Sequence, residues 1–334
     1  MEKFISIVIP NYNRGASIEK CLSAAFSSRY RSFEVVVVDD CSADNSVEII
    51  GRFPCTLIRL DKHSGASRAR NTGALNSNGE ILFFIDSDCL MQEDTLGLVN
   101  KAVTKYNDPK VVIGGTYAML SYDNNFSSTF QSVFVNYSET RNATPDYIAA
   151  HAMIMDSGAF RLSSGFPEKF LPILEDVEFS HRLKRSGLKL VVEPNIVVRH
   201  IFNFSLRRSL QNAAKKARYW TVYSMTNKDL FADSGTASAE LKINGFSLML
   251  GLLLALSGIL LGTKLFFALI PVVITLNLIV SRRLLHAFYR TKGLMFSVAA
   301  ALYYVTLYPA AAISGAAAGA IEYFLTRRAK ERPV

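Results

Sequence analysis

Two phosphate-binding devices are missing from this chain. No G-x-x-x-x-G-K-[ST] loop occurs, which argues against a P-loop nucleotide hydrolase. No G-x-G-x-x-G follows the first apolar run, which argues against a dinucleotide fold. Cysteine is scarce. Cys21, Cys41, Cys55 and Cys89 lie in or beside apolar segments without metal-site spacing, and read as reduced, mostly buried thiols of a reducing compartment. The N-terminal "MEKFISIVIPNYN" has no charged leader ahead of an apolar core, and "FISIVIP" is too short for one and ends in proline. The expectation is no signal peptide and an N-terminal domain that stays in the cytoplasm. No internal repeat or low-complexity linker occurs before residue 310.

Apolar residues are plentiful and unevenly spread. They make up 50% of 334 residues, enough for one large domain and an extension. Residues 1 to about 230 mix charge and apolar runs as a soluble domain does, whereas 243–281 and 294–326 are mostly apolar. The formal net charge is +9, and its placement narrows the partners. Arg207, Arg208, Lys215, Lys216 and Arg218 precede the apolar tail, Arg282, Arg283, Arg290 and Lys292 interrupt it, and Arg327, Arg328, Lys330 and Arg332 end it. That pattern favours a cytoplasmic membrane face over a nucleic-acid stripe.

Short β-rich runs alternate with helical stretches through the first hundred residues. "FISIVIP" (4–10), "FEVVVVD" (33–39), "CTLIRL" (55–60) and "EILFFID" (80–86) read as strands, with helices near 16–27, 45–52 and 65–77. Continuous apolar runs imply strands covered on both faces, and the alternation implies βαβ units with a parallel sheet, an α/β fold. Further on, 110–120 and 149–156 read as strands, 174–187 as a helix, and 188–200 as two short strands broken at Pro194. The stretch 205–225 is basic and amphipathic, suited to a membrane surface with Trp220 and Tyr223 at headgroup level. Residues 243–262 and 265–281 are near spanning length and are joined tightly. Residues 294–326 exceed one span and read as one long tilted helix or a broken pair, with Gly315 and Gly319 on a small-residue packing face. The expected division is 1–204, 205–242, 243–326 and a basic tail, 327–334.

Ligands of an open parallel sheet bind beyond the carboxyl ends of its strands. There stand Pro10, Asn11, Tyr12 and Asn13, then Asp39 and Asp40, then Asp86, Ser87 and Asp88. Asp39 and Asp40 read equally well as a turn or N-cap. Asp86 and Asp88, at strand period, are expected to point the same way and to repel unless a cation sits with them. Hard oxygen ligands so paired suit Mn²⁺ or Mg²⁺ bridging a diphosphate. Arg68, Arg70 and Asn71 lie on the segment before that strand, where the arginines serve a diphosphate or are merely exposed. Glu175 and Asp176 open a helix, where acids gain from the dipole; read chemically, they supply a general base. His200 ends a strand and reads either as structural or as part of a metal or phosphate site.

"SIVIPNYNRGASIEKCL", "FEVVVVDDCSADNSVEII", "GASRARNTGALNSNGEILFFIDSDC" and "GFPEKFLPILEDVEFSHRLKRSG" together resemble the family 2 inverting glycosyltransferases of GT-A fold, over residues 4 to about 200. The resemblance implies a mixed sheet flanked by helices, with a nucleotide-sugar half and an acceptor half. It implies that the "PNYN" segment and Asp39 hold base and ribose, and that Asp86 and Asp88 form a DXD motif for metal and diphosphate. Asp176 would be the base, Glu175 its support, and His200 would lie near the metal. The processive Q-x-x-R-W motif is absent, since Gln211 stands too far from Trp220. The implied protein is a multi-pass enzyme of the cytoplasmic membrane, its catalytic domain facing the cytoplasm. It would pass sugar from a nucleotide-diphosphate donor to a hydroxyl of a lipid-linked or glycan acceptor in envelope assembly. Rival readings are a polyprenyl-phosphate sugar synthase and a non-catalytic membrane scaffold.

Overall fold

Apolar runs without alternation become the middle of one sheet. The computed structural model describes residues 2–169 and 173–330, which divide into two units: residues up to 124 with 139–202, and 125–138 with residues from 203 onward. In the first unit β1 (Ile5–Asn11), α1 (Gly15–Phe26), β2 (Phe33–Asp39), α2 (Ser46–Ile50), β3 (Thr56–Arg59), α3 (Ala66–Leu75) and β4 (Ile81–Phe84) alternate as expected. Every residue of β1 and β4 is buried. β1 pairs in parallel with β2 and β4, setting Ile7 against Val35 and Phe83.

The later strands depart from that regularity. β5 (Cys89–Met91), α4 (Thr95–Tyr106), β6 (Val111–Tyr117), α5 (Phe126–Thr140), a 3₁₀ turn (Ala150–Ala152), β7 (Met153–Asp156), α6 (Ser157–Leu162), α7 (Glu175–Arg185) and β8 (Lys189–His200) follow. The finished sheet has eight strands in the order β3-β2-β1-β4-β7-β6-β8-β5. β7 runs antiparallel to β4 and β6, and β5 antiparallel to β8, so the sheet is mixed. β8 continues past Pro194 where two strands were expected. Val192 pairs with Gly114 and Val197 with Thr116, so the proline sits in a bulge, where its missing N–H costs no ladder bond. Glu193, in the same bulge, accepts from Lys105 Nζ at 2.7 Å and Tyr106 Oη at 2.8 Å. Beneath the sheet, Phe166 packs against Phe84 at 5.2 Å and Phe179 at 4.4 Å between ring centroids.

The second unit is helical: part of α5 with α8 (Leu206–Asn227), α9 (Ala239–Leu261), α10 (Lys264–Val280), α11 (Arg282–Val305) and α12 (Leu307–Lys330). α5 supplies aromatic rings to this unit's core, with Phe130 stacked on Phe288 at 5.1 Å and edge-on to Tyr303 at 4.7 Å. A single boundary near residue 204 therefore misses one helix that belongs with the tail. Ala239–Leu261 and the interrupted stretch Arg282–Thr326 are long and apolar enough to cross a membrane, and α10 is apolar but shorter. The stretch 294–326, expected as one long tilted helix or a broken pair, is interrupted at Thr306 (φ −119°, ψ −82°), between α11 and α12. Trp220 and Tyr223 are buried, not presented to headgroups. Residues 331–334 of the basic tail lie outside the described residues.

Gly315 and Gly319 bring the backbones of α12 and α8 together. A Cβ on Gly315 would stand 2.0 Å from the Ala214 carbonyl oxygen, and one on Gly319 would stand 2.3 Å from that of Arg218. Because backbone cannot yield as a side-chain tip can, Gly315→Leu is expected to cost about 1–3 kcal/mol or more. Thermal melting of the full chain should fall and trypsin should cut at Lys215 and Arg218, whereas Ala317→Leu, on the exposed face, should change neither.

Candidate active site

The turn after β4 decides where the acids go. β4 stops at Phe84, and Asp86, Ser87 and Asp88 occupy a turn closed by the Cys89 N–H donating to the Asp86 carbonyl at 2.9 Å. The two carboxylates therefore do not share a strand face as expected, and each finds its own partner. Asp86 Oδ1 accepts from Arg70 Nη2 at 2.7 Å, while Asp88 meets Arg14 at 3.3 Å and His200 Nε2 at 3.4 Å. His200 arrives there because β5 pairs with β8, placing Cys89 opposite His200, and the Ile201 N–H donates to the Asp88 carbonyl.

Arg70 is the hub. Its side chain is 5% exposed, and its other nitrogen, Nη1, donates to Glu175 Oε1 at 2.9 Å. One guanidinium fork thus joins the acid after β4 to the first residue of α7, a geometry that a lysine cannot supply. Burial alone would raise the Asp86 carboxyl, but Arg70, with His151 and His200 adding to it, holds it below its ordinary value. The repulsion expected between Asp86 and Asp88 is thus relieved within the protein itself.

Asp176, one residue on, forms no ion pair among the described residues. Its Oδ2 accepts from the Ala150 N–H at 3.3 Å. Burial first, then the neighbouring Glu175, push its carboxyl up to about 7, with Arg70 opposing. A half-buried carboxylate poised near neutrality is what general-base chemistry needs.

The other candidates have partners within the protein. Asp39 is buried and accepts from Asn11 Nδ2 (2.8 Å), Ser42 Oγ (2.6 Å) and the Ser42 N–H (3.0 Å). Asp40 takes the N–H groups of Ser64 (2.7 Å) and Gly65 (2.8 Å) and lies 2.9 Å from His63. Asn13 accepts from the Ala43 N–H, and Asn71 is spent on the Phe166 backbone in both directions. Arg68 pairs with Glu168, so of the two arginines only Arg70 bonds the acids. Pro10 is buried in β1 and Ser87 in its turn, while Tyr12 is exposed and stacks on His63 at 4.0 Å. An exposed aromatic beside the Asn11–Asp39 brace is suited to stack a nucleobase. A separate cavity of about 420 Å³, lined by Lys3, Glu80, Tyr106 and Asp156 among others, opens at the amino ends of β1 and β4.

Sequence reasoning passed over Arg14, His151 and Glu139. Arg14 stood in plain view in "PNYNRG". His151 is buried, stacks on Tyr117 at 3.9 Å and faces Glu139 at 3.4 Å. Burial depresses that imidazole, but Glu139, with Asp86 and Asp176 adding to it, leaves its pKa raised. Glu139 also accepts from Thr116 Oγ1 at 2.7 Å. No periodicity or spacing flags such a cluster.

The donor atoms of Asp88, Cys89 and His200 lie within 4.8 Å of one another. Carboxylate and imidazole fit a hard divalent cation, and His200 Nδ1 is a buried atom without a hydrogen-bond partner among the described residues. Burial pushes the His200 imidazole down, toward the neutral form a metal requires. The Cys89 thiol is pushed well up, first by burial and then by Asp88 and Asp86, and suits such a cation poorly.

The sequence profile of "Glycosyl transferase family 2" matches residues 6–163. The chain carries a family 2 glycosyltransferase domain. Its GT-A fold is shared with the mannosyltransferase PcManGT of Pyrobaculum calidifontis, solved with GDP-Man and Mn²⁺, at a TM-score of 0.58 and 18% identity over 98% of this chain and 88% of that one. The glycosyltransferase GlyG of Streptococcus pneumoniae is 32% identical over 131 residues, 38% of this chain and 43% of its own length. The poly(ribitol-phosphate) β-N-acetylglucosaminyltransferase TarP of Staphylococcus aureus is 35% identical over 121 residues, 34% of this chain and 36% of that protein. The chain thus spans less than half the length of these two curated relatives. The family 2 domain's matched segment stops short of Glu175, Asp176 and His200, whose placement rests on the geometry above.

Proposed function

We propose that this protein transfers a sugar, with inversion, from a nucleotide-diphosphate donor to a hydroxyl of a lipid-linked or glycan acceptor. The observation that carries the reading is the separation of roles around Arg70. An Asp/His pair able to serve a diphosphate lies toward one side, and a carboxylate with its pKa near neutrality lies beyond Glu175 on the other.

Asp176 takes the acceptor's proton as its oxygen attacks the anomeric carbon, and the bond to the diphosphate breaks on the opposite face. Arg14, next to Asp88, is placed to meet the phosphates of the donor. Asp88 and His200 would hold Mn²⁺ or Mg²⁺, which supplies charge against the departing diphosphate. Asp86, held by Arg70, and Glu175 keep the two sites at fixed spacing. The raised pKa of Asp176 favours a hydroxyl acceptor over a phosphate, which needs little deprotonation. The apolar α9–α10 hairpin is the anchor in this reading, with Lys242, Arg282 and Arg283 at its base marking the cytoplasmic side. Anchoring would raise the effective concentration of a lipid-linked acceptor in envelope polysaccharide or glycolipid synthesis.

The test is a screen of nucleotide sugars with purified full-length protein, Mn²⁺ and membrane lipid extract, following nucleoside diphosphate release. Release with one donor, enhanced by lipid, is expected. No release with any donor would sink the enzyme, and lipid-independent release would sink only the lipid acceptor. Asp88→Asn and His200→Ala should each raise the Mn²⁺ concentration for half-maximal activity by about tenfold or more, read in a metal titration.

A further inference from the structure

We propose that α12 does not cross the membrane but lies along it, paired with α8, and that the two helices together dock on an anionic phospholipid surface. The inference rests on the membrane reading above and changes its topology.

The pairing comes first. Ala214 meets Gly315 and Arg218 meets Gly319 at backbone contact, four residues on in both chains, so the two helices run parallel and in step. Arg218 Nε donates to Glu322 Oε2 at 2.7 Å, extending the register another turn. Tyr303 Oη donates to Ser209 Oγ at 2.9 Å ahead of it. A helix locked to α8 over this length goes where α8 goes.

α8 is unsuited to cross a bilayer. Arg207, Gln211, Lys215 and Arg218 recur at helical spacing and are all exposed, with Arg208 beside them. Burying such a stripe in hydrocarbon is prohibitive, whereas laying it against anionic headgroups is favourable. α12 offers the complement. Leu307, Ala310, Ala317, Ile321 and Phe324 fall on one exposed stripe at the same period, apolar except for Ser314 among them. A basic stripe and an apolar stripe on two parallel helices make an interfacial surface.

The neighbours of α12 agree. It meets the hairpin near the beginning of α9, where Gly245 lies against Ile313 and Asn244 Nδ2 donates to the Tyr304 carbonyl at 2.6 Å, just before the break. Asn277, near the end of α10, donates to Asn244 Oδ1 at 2.7 Å. These polar contacts mark the mouth of the hairpin. The corner at Thr306 starts α12 from that level, and the C-terminal residues stay on the same side of the membrane as α8.

The test uses full-length protein, carrying Cys41→Ser and Cys55→Ser, in vesicles of mixed anionic and zwitterionic phospholipid. Nitroxide labels are placed singly at Ala310, Ser314, Ala317 and Ile321, with a control at Leu256 in α9, and depth is read by power saturation. The expected result is a deep label at 256 and four shallow labels agreeing within about one helical turn, roughly 5 Å. A depth profile that climbs or falls steadily along α12 overturns the proposal and leaves both the anchor and the transferase reading intact. A water-exposed label at 256 overturns the anchor and this proposal together. In vesicles of zwitterionic lipid alone, or with Arg207→Gln, Arg208→Gln and Lys215→Gln combined, the four α12 labels should move toward water while 256 stays deep. Unchanged α12 depths in both conditions would overturn the anionic partner.

Discussion

Asp176→Asn is expected to lower kcat by about 10³-fold, within the range that a positioned general base supplies, while leaving donor binding intact. The amide is close in size, cannot take a proton, and still accepts from the Ala150 N–H, so a folding defect is not the expected cause. The pH profile is a second readout of the same residue. A base with its pKa at about 7 must be deprotonated to act, so kcat/KM should rise close to tenfold per unit on the acid side and level off above neutrality. Asp176→Asn should erase that limb. The residue also costs the fold something. Its folded pKa lies above the unfolded value, so the folded state holds the proton more tightly, and stability should decline as pH rises from about 4 to about 7 and then stay level. If the mutant retains wild-type kcat with its acid limb in place, the base lies elsewhere. A mild loss would point to a phosphate acceptor.

Arg70→Met should be the most destabilising substitution in the domain, at about 3–5 kcal/mol, because it strands two partly buried carboxylates whose shared cation has gone. The measurement is the thermal or denaturant midpoint of the full chain. Arg70→Lys should recover only part of the loss, since an ammonium cannot fork to Asp86 at 2.7 Å and Glu175 at 2.9 Å together. Arg70 also pulls the Asp176 carboxyl down. Its removal should therefore shift the acid limb of surviving activity to higher pH, an effect that generalised unfolding would not produce. A variant as stable as the parent, with an unmoved limb, would show the fork to be incidental.

Much of the sheet could be read from the chain because burial on both faces writes itself as unbroken Val and Ile runs. β1, β2 and β4 lie within two residues of expectation. α5 stayed hidden. "FSSTFQSVFVNYSET" scatters serine and threonine through a helix that is nonetheless buried along most of its length. Its place with the tail depends on aromatic partners more than 150 residues downstream, such as Phe288 and Tyr303. At the site, the residue types were legible and their pairings were not. Strand period gave Asp86 and Asp88 a common direction, and a turn one residue past Ile85 undid it. Local spacing says nothing of an arginine and a glutamate 105 positions apart. Pro194 signalled an interruption correctly, but a bulge absorbed it without ending the strand.

The corner at Thr306 also bears on the order in which the tail is made. Tyr304 precedes a helix break, and the amide that satisfies its carbonyl belongs to Asn244, synthesised 60 residues earlier. α8 is older still, and Glu322, which pairs with its Arg218, emerges 104 residues later. Chains emerge N-terminus first, so α8 must wait, its face at Ala214 and Arg218 open, while the α9–α10 hairpin forms and its two asparagines meet. Only then does the nascent chain reach a corner that a finished hairpin can hold. Truncation before Gly315, which removes the α12 side of both backbone contacts, should therefore leave a formed hairpin beside an unzipped, protease-sensitive α8, a vulnerable interval that every newly made copy passes through.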